Sequence, residues 1–216
     1  MFARVYAAAM NESRMEQLPR GRHGLPREAV LASQRGRMVV AMADAVAERG
    51  FARTSVADVI RLAGVSRETF YEHFDGKEDC FLAAFDAAVE LVITAVSDGY
   101  REVPDAEPAD RVGRALTTYL ETLAAEPAFA RTFLVEVFAA GRAAQERRVA
   151  VQQRFVETAI GLVGARSKRD RFACEAVIAA VSSLVTMRVC AGRTAELPEL
   201  AGPITELAAA LFPGRA

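Results

Sequence analysis

The 216-residue chain weighs 23.3 kDa and is 52% hydrophobic and 25% charged, enough apolar material for a sizeable core or two small domains. Its 27 basic and 28 acidic residues leave a net charge of −1, so no global field singles out a polyanionic partner. Ala makes up about a fifth of the chain, and Arg supplies 25 of the 27 basic residues. Both favour helix, and Gly and Pro are sparse enough to act as breaks. An all-α fold is expected, and a sandwich, a barrel or a disordered chain is excluded.

The first ten residues superficially look like a secretion signal, but the apolar run from Val5 to Met10 is too short for one. A frayed tail, or a start at Met10 or Met15, is expected instead. Residues 1–32 read as a flexible basic arm. From Arg14 to Arg37 six arginines face only Glu16 and Glu28, a local charge of +4. A helix is predicted from Ser33 to Arg49, with Met38, Met42, Ala45 and Val46 on one stripe. Gly50 closes it and Phe51 packs back. Ser55 and Asp58 form a capping-box pattern for a second helix, Val56 to Ala63. Gly64-Val65-Ser66 then turns the chain into a short third helix, Arg67 to Phe74, whose Phe70 and Phe74 must face the core. A long fourth helix runs from Lys77 to about Tyr100, and a Pro-containing loop follows. Five more are expected: 110–125, Pro127 to Gly141, one ending near Gly164, one from the Ser167 cap to Gly192, and one from Gly202 to Phe212. The sum is nine helices in two domains, 33–80 and 81–216, behind the arm.

Two short helices joined by Ala63-Gly64-Val65-Ser66 have helix-turn-helix spacing. The outward face of the third helix carries Arg67, Glu68, Thr69, Tyr71 and His73, all hydrogen-bonding groups, where a merely solvated helix would favour Lys, Glu and Ala. Such a face suits the major groove of B-DNA, which admits one helix. Tyr71 could alternatively join the core beside Phe70, and His73 could be a buried structural histidine.

The stretch resembles the DNA-binding domain of the tetracycline-repressor (TetR) family of bacterial regulators. The resemblance is carried by Gly50-Phe51, Thr54 to Ile60, Ala63 to Ser66, Thr69 to Phe74 and Lys77-Glu78. It implies a homodimer on double-stranded operator DNA that is released by a small-molecule effector. By that match Thr54 and Ser66 bond phosphates. Arg67, Thr69 and Tyr71 meet bases or adjacent phosphates, and His73 and Lys77 take phosphates. Glu68, an acid on this surface, departs from phosphate binding, although a carboxylate can accept from cytosine N4. The position of the arm, directly before the motif, brings Arg20, Arg22 and Arg27 into reach of the backbone or minor groove.

The predicted eighth helix is apolar nearly all round, with Phe172, Ala176, Ala180, Leu184 and Met187 among its residues. A helix without a polar face is buried on all sides. One side is therefore expected to meet a partner subunit, together with Ile204, Leu207 and Leu211 of the last helix. A central helix in a monomer is the alternative. Phe85, Val89, Tyr119, Leu123, Phe133, Glu136, Val137 and Phe155 are the expected cavity residues, with Glu136 and Tyr119 as polar anchors for an apolar or amphipathic effector. Solvent exposure explains Glu136 equally well. Cys80, Cys174 and Cys190 read as buried thiols of a reducing cytosol. No metal, cofactor or catalytic constellation is expected, no stretch approaches membrane-spanning length, and the protein is expected in the cytoplasm. A transcriptional activator of the same fold, a helical-bundle enzyme and a helix-turn-helix used for protein contacts are the competing readings.

Overall fold

The structure is a computed structural model that describes residues 27–103, 105 and 108–212. Among these residues there are nine α-helices and no strand. They are α1 (Arg27–Arg49), α2 (Val56–Ala63), α3 (Arg67–His73), α4 (Lys77–Arg101), α5 (Pro108–Ala125), α6 (Pro127–Leu134), α7 (Arg142–Val163), α8 (Lys168–Cys190) and α9 (Ala201–Leu211). Short 3-10 turns lie at Phe51–Arg53, Glu136–Phe138 and Thr194–Leu200.

Three boundaries differ from the sequence reading. The first helix begins at Arg27 and not Ser33, so Arg27 to Ala32 is helical. Nothing after Pro26 breaks a helix there. Glu28 suits the positive N-terminal end, and Val30 and Leu31 are half-buried. Arg20 and Arg22 lie outside the described residues. Helix α6 stops at Leu134 and not Gly141, because Glu136 is drawn into a 3-10 turn by a partner described below. The segment before α9 is an ordered 3-10 turn that buries Leu197 and Leu200.

One apolar core runs through both halves. It starts with Met38, Met42, Val46, Val59, Phe70 and Phe74. It continues along α4 through Phe81 and Phe85 to Leu120, Phe133 and Val185. Edge-on and tilted ring pairs mark the route: Phe51 with Phe81 at 5.0 Å, Phe81 with Phe133 at 6.1 Å and Phe85 with Phe133 at 6.2 Å. By length and composition α4 and α8 could each cross a membrane, contrary to the sequence expectation. In α4 much of that apolar surface faces the core, whereas α8 keeps an uncovered side.

Candidate nucleic-acid interface and ligand cavity

Local rules build the helix-turn-helix. Ser55 Oγ accepts from Asp58 N at 3.3 Å while Ser55 N donates to Asp58 Oδ2 at 3.0 Å, the reciprocal capping box. The Ser55 hydroxyl and amide hold the Asp58 carboxyl below the usual carboxylate range, helped by Arg49. Gly64 ends α2 in the left-handed region (φ 63°), which a side chain would strain. Ser66 Oγ accepts from Thr69 N at 3.0 Å and so starts α3. Phe70 and Phe74, 0% and 2% exposed, seat α3 on the core as expected.

Two arginines that the sequence reading counted only in the +4 local charge from Arg14 to Arg37 have other work. Arg37 Nε donates to Ala63 O at 3.1 Å, and Arg35 Nη1 donates to His73 O at 3.4 Å. Each guanidinium meets the C-terminal carbonyls of one of the two motif helices, where the helix dipole favours a cation. Arg35 also lies 4.5 Å over the Phe74 ring. No local pattern announces these contacts, because each partner lies 26 or 38 residues away.

The predicted DNA-facing residues divide. Arg67, Glu68 and Tyr71 are exposed on α3, with the Arg67 guanidinium 5.5 Å from the Tyr71 ring centre. Tyr71 therefore does not join the core. Ser66 and Thr69 share a hydroxyl contact of 2.9 Å beside them. Thr54 does not belong with this group. It is 2% exposed and its hydroxyl donates to Gly50 O at 3.0 Å, satisfying an end carbonyl of the turn. His73 is half-buried with Nε2 enclosed and unbonded, and burial with the nearby Arg35 pushes its pKa down, which keeps it neutral. The Lys77 ammonium donates to Phe51 O at 3.1 Å and stands 4.3 Å over the Phe51 ring. It grips the domain junction where a phosphate contact was expected.

Glu136 is the larger correction. It does not reach the cavity. Its Oε2 accepts from Phe51 N at 2.9 Å, 85 residues away, and Oε1 lies 3.9 Å from Arg131. The Phe51 peptide is thus held on both sides, its N–H by the second domain and its carbonyl by the start of α4.

The second domain holds a partly open cavity of about 320 Å³, within the size of small-molecule sites. Phe85, Val89, Tyr119, Leu123, Phe133 and Phe155 line it as expected, and Val137 is fully buried behind it. Ile204 lines the cavity too. At 6% exposure it faces its own subunit's interior, not the outside stripe. Burial pushes the Tyr119 hydroxyl up to about 12, so it stays protonated.

On the outside, α8 buries Cys174, Val181, Val185 and Val189 and exposes the opposite side. Phe172 and Met187 are 70% and 56% exposed, Ala176 is exposed, and Ala180 and Leu184 are half-buried. Leu207 and Leu211 of α9 are also exposed. Cys190 is exposed, unlike the buried Cys80 and Cys174, because it falls on the outer side of α8.

Residues 40–84 match the bacterial regulatory proteins of the tetR family. The HTH-type transcriptional regulator EthR of Mycolicibacterium smegmatis is 25% identical over 190 residues, covering 86% of this chain and 82% of that protein. The HTH-type transcriptional activator FasR of the same organism is 30% identical over 98 residues, covering 44% and 43%. A TetR transcriptional regulator from Chloroflexus aurantiacus superposes with a TM-score of 0.64 at 24% identity, over 85% of this chain and 96% of that one. The regulator FadR from Bacillus subtilis, solved with stearoyl-CoA, gives 0.66 at 18% identity, over 82% and 97%. Both structures share the fold.

Proposed function

We propose that the chain, whose residues 40–84 match the tetR family of bacterial regulatory proteins, is a ligand-responsive, sequence-specific DNA-binding regulator of transcription, released from a palindromic operator when an apolar or amphipathic effector fills the cavity. The observation that carries this reading is the pairing of an exposed, dipole-braced α3 with a largely apolar cavity, joined by one continuous core. The relatives are regulators and not enzymes, and the site of action is DNA in the bacterial cytoplasm. The exposed apolar stripe of α8 and α9 supports a twofold dimer, whose paired α3 helices would read half-sites about one helical turn apart.

An electrophoretic mobility shift with fragments from around its own gene tests the reading. A sequence-specific, salt-sensitive shift is expected, and binding of all fragments alike would overturn it.

Within that shift, Arg67→Ala is expected to cost about 1–3 kcal/mol at one base pair, while the other positions keep their preference. A uniform loss across operator variants would move Arg67 from a base to a phosphate. Deleting residues 1–26 removes Arg20 and Arg22. At about 0.9 per neutralised phosphate, the log-log salt dependence should flatten by about 1.8 per half-site. Parallel salt titrations of full-length and truncated protein would show that these arginines make no DNA contact.

A further inference from the structure

We propose that the cavity takes an amphipathic anion, a long alkyl body lying along α7 with one negatively charged head held at Arg148. The inference rests on the ligand-responsive reading and adds the charge and direction of the ligand.

Arg148 is the only charged residue among the described residues that line the cavity. Its Nη2 donates to Ser182 Oγ at 3.1 Å, and its guanidinium lies 4.9 Å from the Phe138 ring centre. Other arginines of the same helix have carboxylate partners on α4: Arg147 with Asp86 at 3.4 Å, and Arg154 with Glu90 at 3.4 Å. Arg148 forms no such ion pair among the described residues. A half-buried guanidinium against an apolar wall is only partly hydrated and has no carboxylate partner among the described residues, so an entering anion supplies a counter-charge that they do not. The planar fork retains donors beyond the one given to Ser182. Tyr119, protonated and close enough to feel the Arg148 charge, offers a second donor.

The rest of the wall fixes the body of the ligand. From Arg148 the cavity follows α7 through Val151, Phe155 and Leu162 to Val163, a run of roughly 22 Å at helical rise. Phe212 closes the far end. A long apolar channel with a cation near one end matches a chain with an anionic terminus. A cationic head would meet repulsion there, and a neutral chain would leave Arg148 unpaired.

Calorimetric titration of the full-length protein with dodecanoate, dodecanol and dodecylamine, all below micelle formation, tests this. Dodecanoate is expected to bind at least about tenfold more tightly than either of the others. Arg148→Gln should weaken dodecanoate by about ten- to a hundredfold, to the level of the alcohol, and leave dodecanol unchanged. Arg148→Lys should recover part of the loss. Dodecyl phosphate, run in parallel, separates a carboxylate-specific site from one that accepts any anionic head. Ser182→Ala, which leaves the charge in place, should weaken the anions only a few-fold and guards against misfolding of the glutamine variant. Equal affinity for the three probes, an unaffected Arg148→Gln variant, or no binding of any probe would overturn the proposal. Mobility shifts without probe report the regulatory reading separately: a protein that holds its operator yet ignores these probes refutes the anion site alone.

Discussion

Replacing Phe172 and Met187 together with glutamate is expected to yield monomers that lose operator affinity by on the order of a hundredfold or more. Both side chains stand on the uncovered side of α8 at 70% and 56% exposure, so neither supports the fold of its own subunit. Across a twofold axis each substitution appears twice, and four carboxylates would replace apolar contact with repulsion. Ala180 and Leu184 are poorer probes, because they are half-buried and a charge there would confuse folding with assembly. Sedimentation velocity reads the oligomeric state, and a mobility shift reads the affinity, which depends on two tethered α3 helices. A persistent dimer with intact binding would remove the α8–α9 face as the interface.

The second large effect is expected at Gly50. Its backbone, at φ 78° and ψ 156°, occupies a region essentially reserved for glycine. A Cβ built there would lie 3.1 Å from Glu136 Oε2, the atom that accepts from Phe51 N. Gly50→Ala would therefore strain the turn and displace the carboxylate together. Strain of about 1–3 kcal/mol and an unsatisfied amide of about 1–3 kcal/mol give a loss of roughly 2–6 kcal/mol. The corresponding fall in Tm is on the order of 10 °C for a chain of this size. Glu136→Ala breaks the same hydrogen bond without the backbone strain and should show the smaller part of the loss. Thermal unfolding followed by circular dichroism checks both. A Gly50→Ala variant that melts with the parent would mean that the junction relaxes freely.

Glu136 marks the limit of what a linear reading could reach. The apolar flanks Val135 and Val137 placed it inside a helix and near the cavity. Its real partner is the Phe51 amide, and a contact across 85 residues has no periodicity to betray it. Lys77 and Thr54 show the same limit. Each carries a group suited to phosphate: the one hydroxyl proton of buried Thr54 is spent on Gly50 O, and the Lys77 ammonium is anchored by one of its three donors to Phe51 O. Arg35 and Arg37 entered the sequence reading only as local charge, because their acceptors are carbonyls at the ends of other helices.

Local chemistry by itself determined the nine helices of the described residues, the motif and the seated Phe70 and Phe74. Caps, glycine stops and the spacing of apolar residues act within one or two turns, so the chain spells them out. The tertiary structure alone decided which polar groups remain available. It left Arg67 and Tyr71 open, buried Thr54, anchored Lys77 to the Phe51 carbonyl, turned Ile204 inward and left Arg148 at the cavity wall without a carboxylate partner among the described residues. The reason is that a hydrogen bond or a charge is satisfied by whatever packing brings within about 3 Å, and that neighbour is set by the fold and not by its distance along the chain.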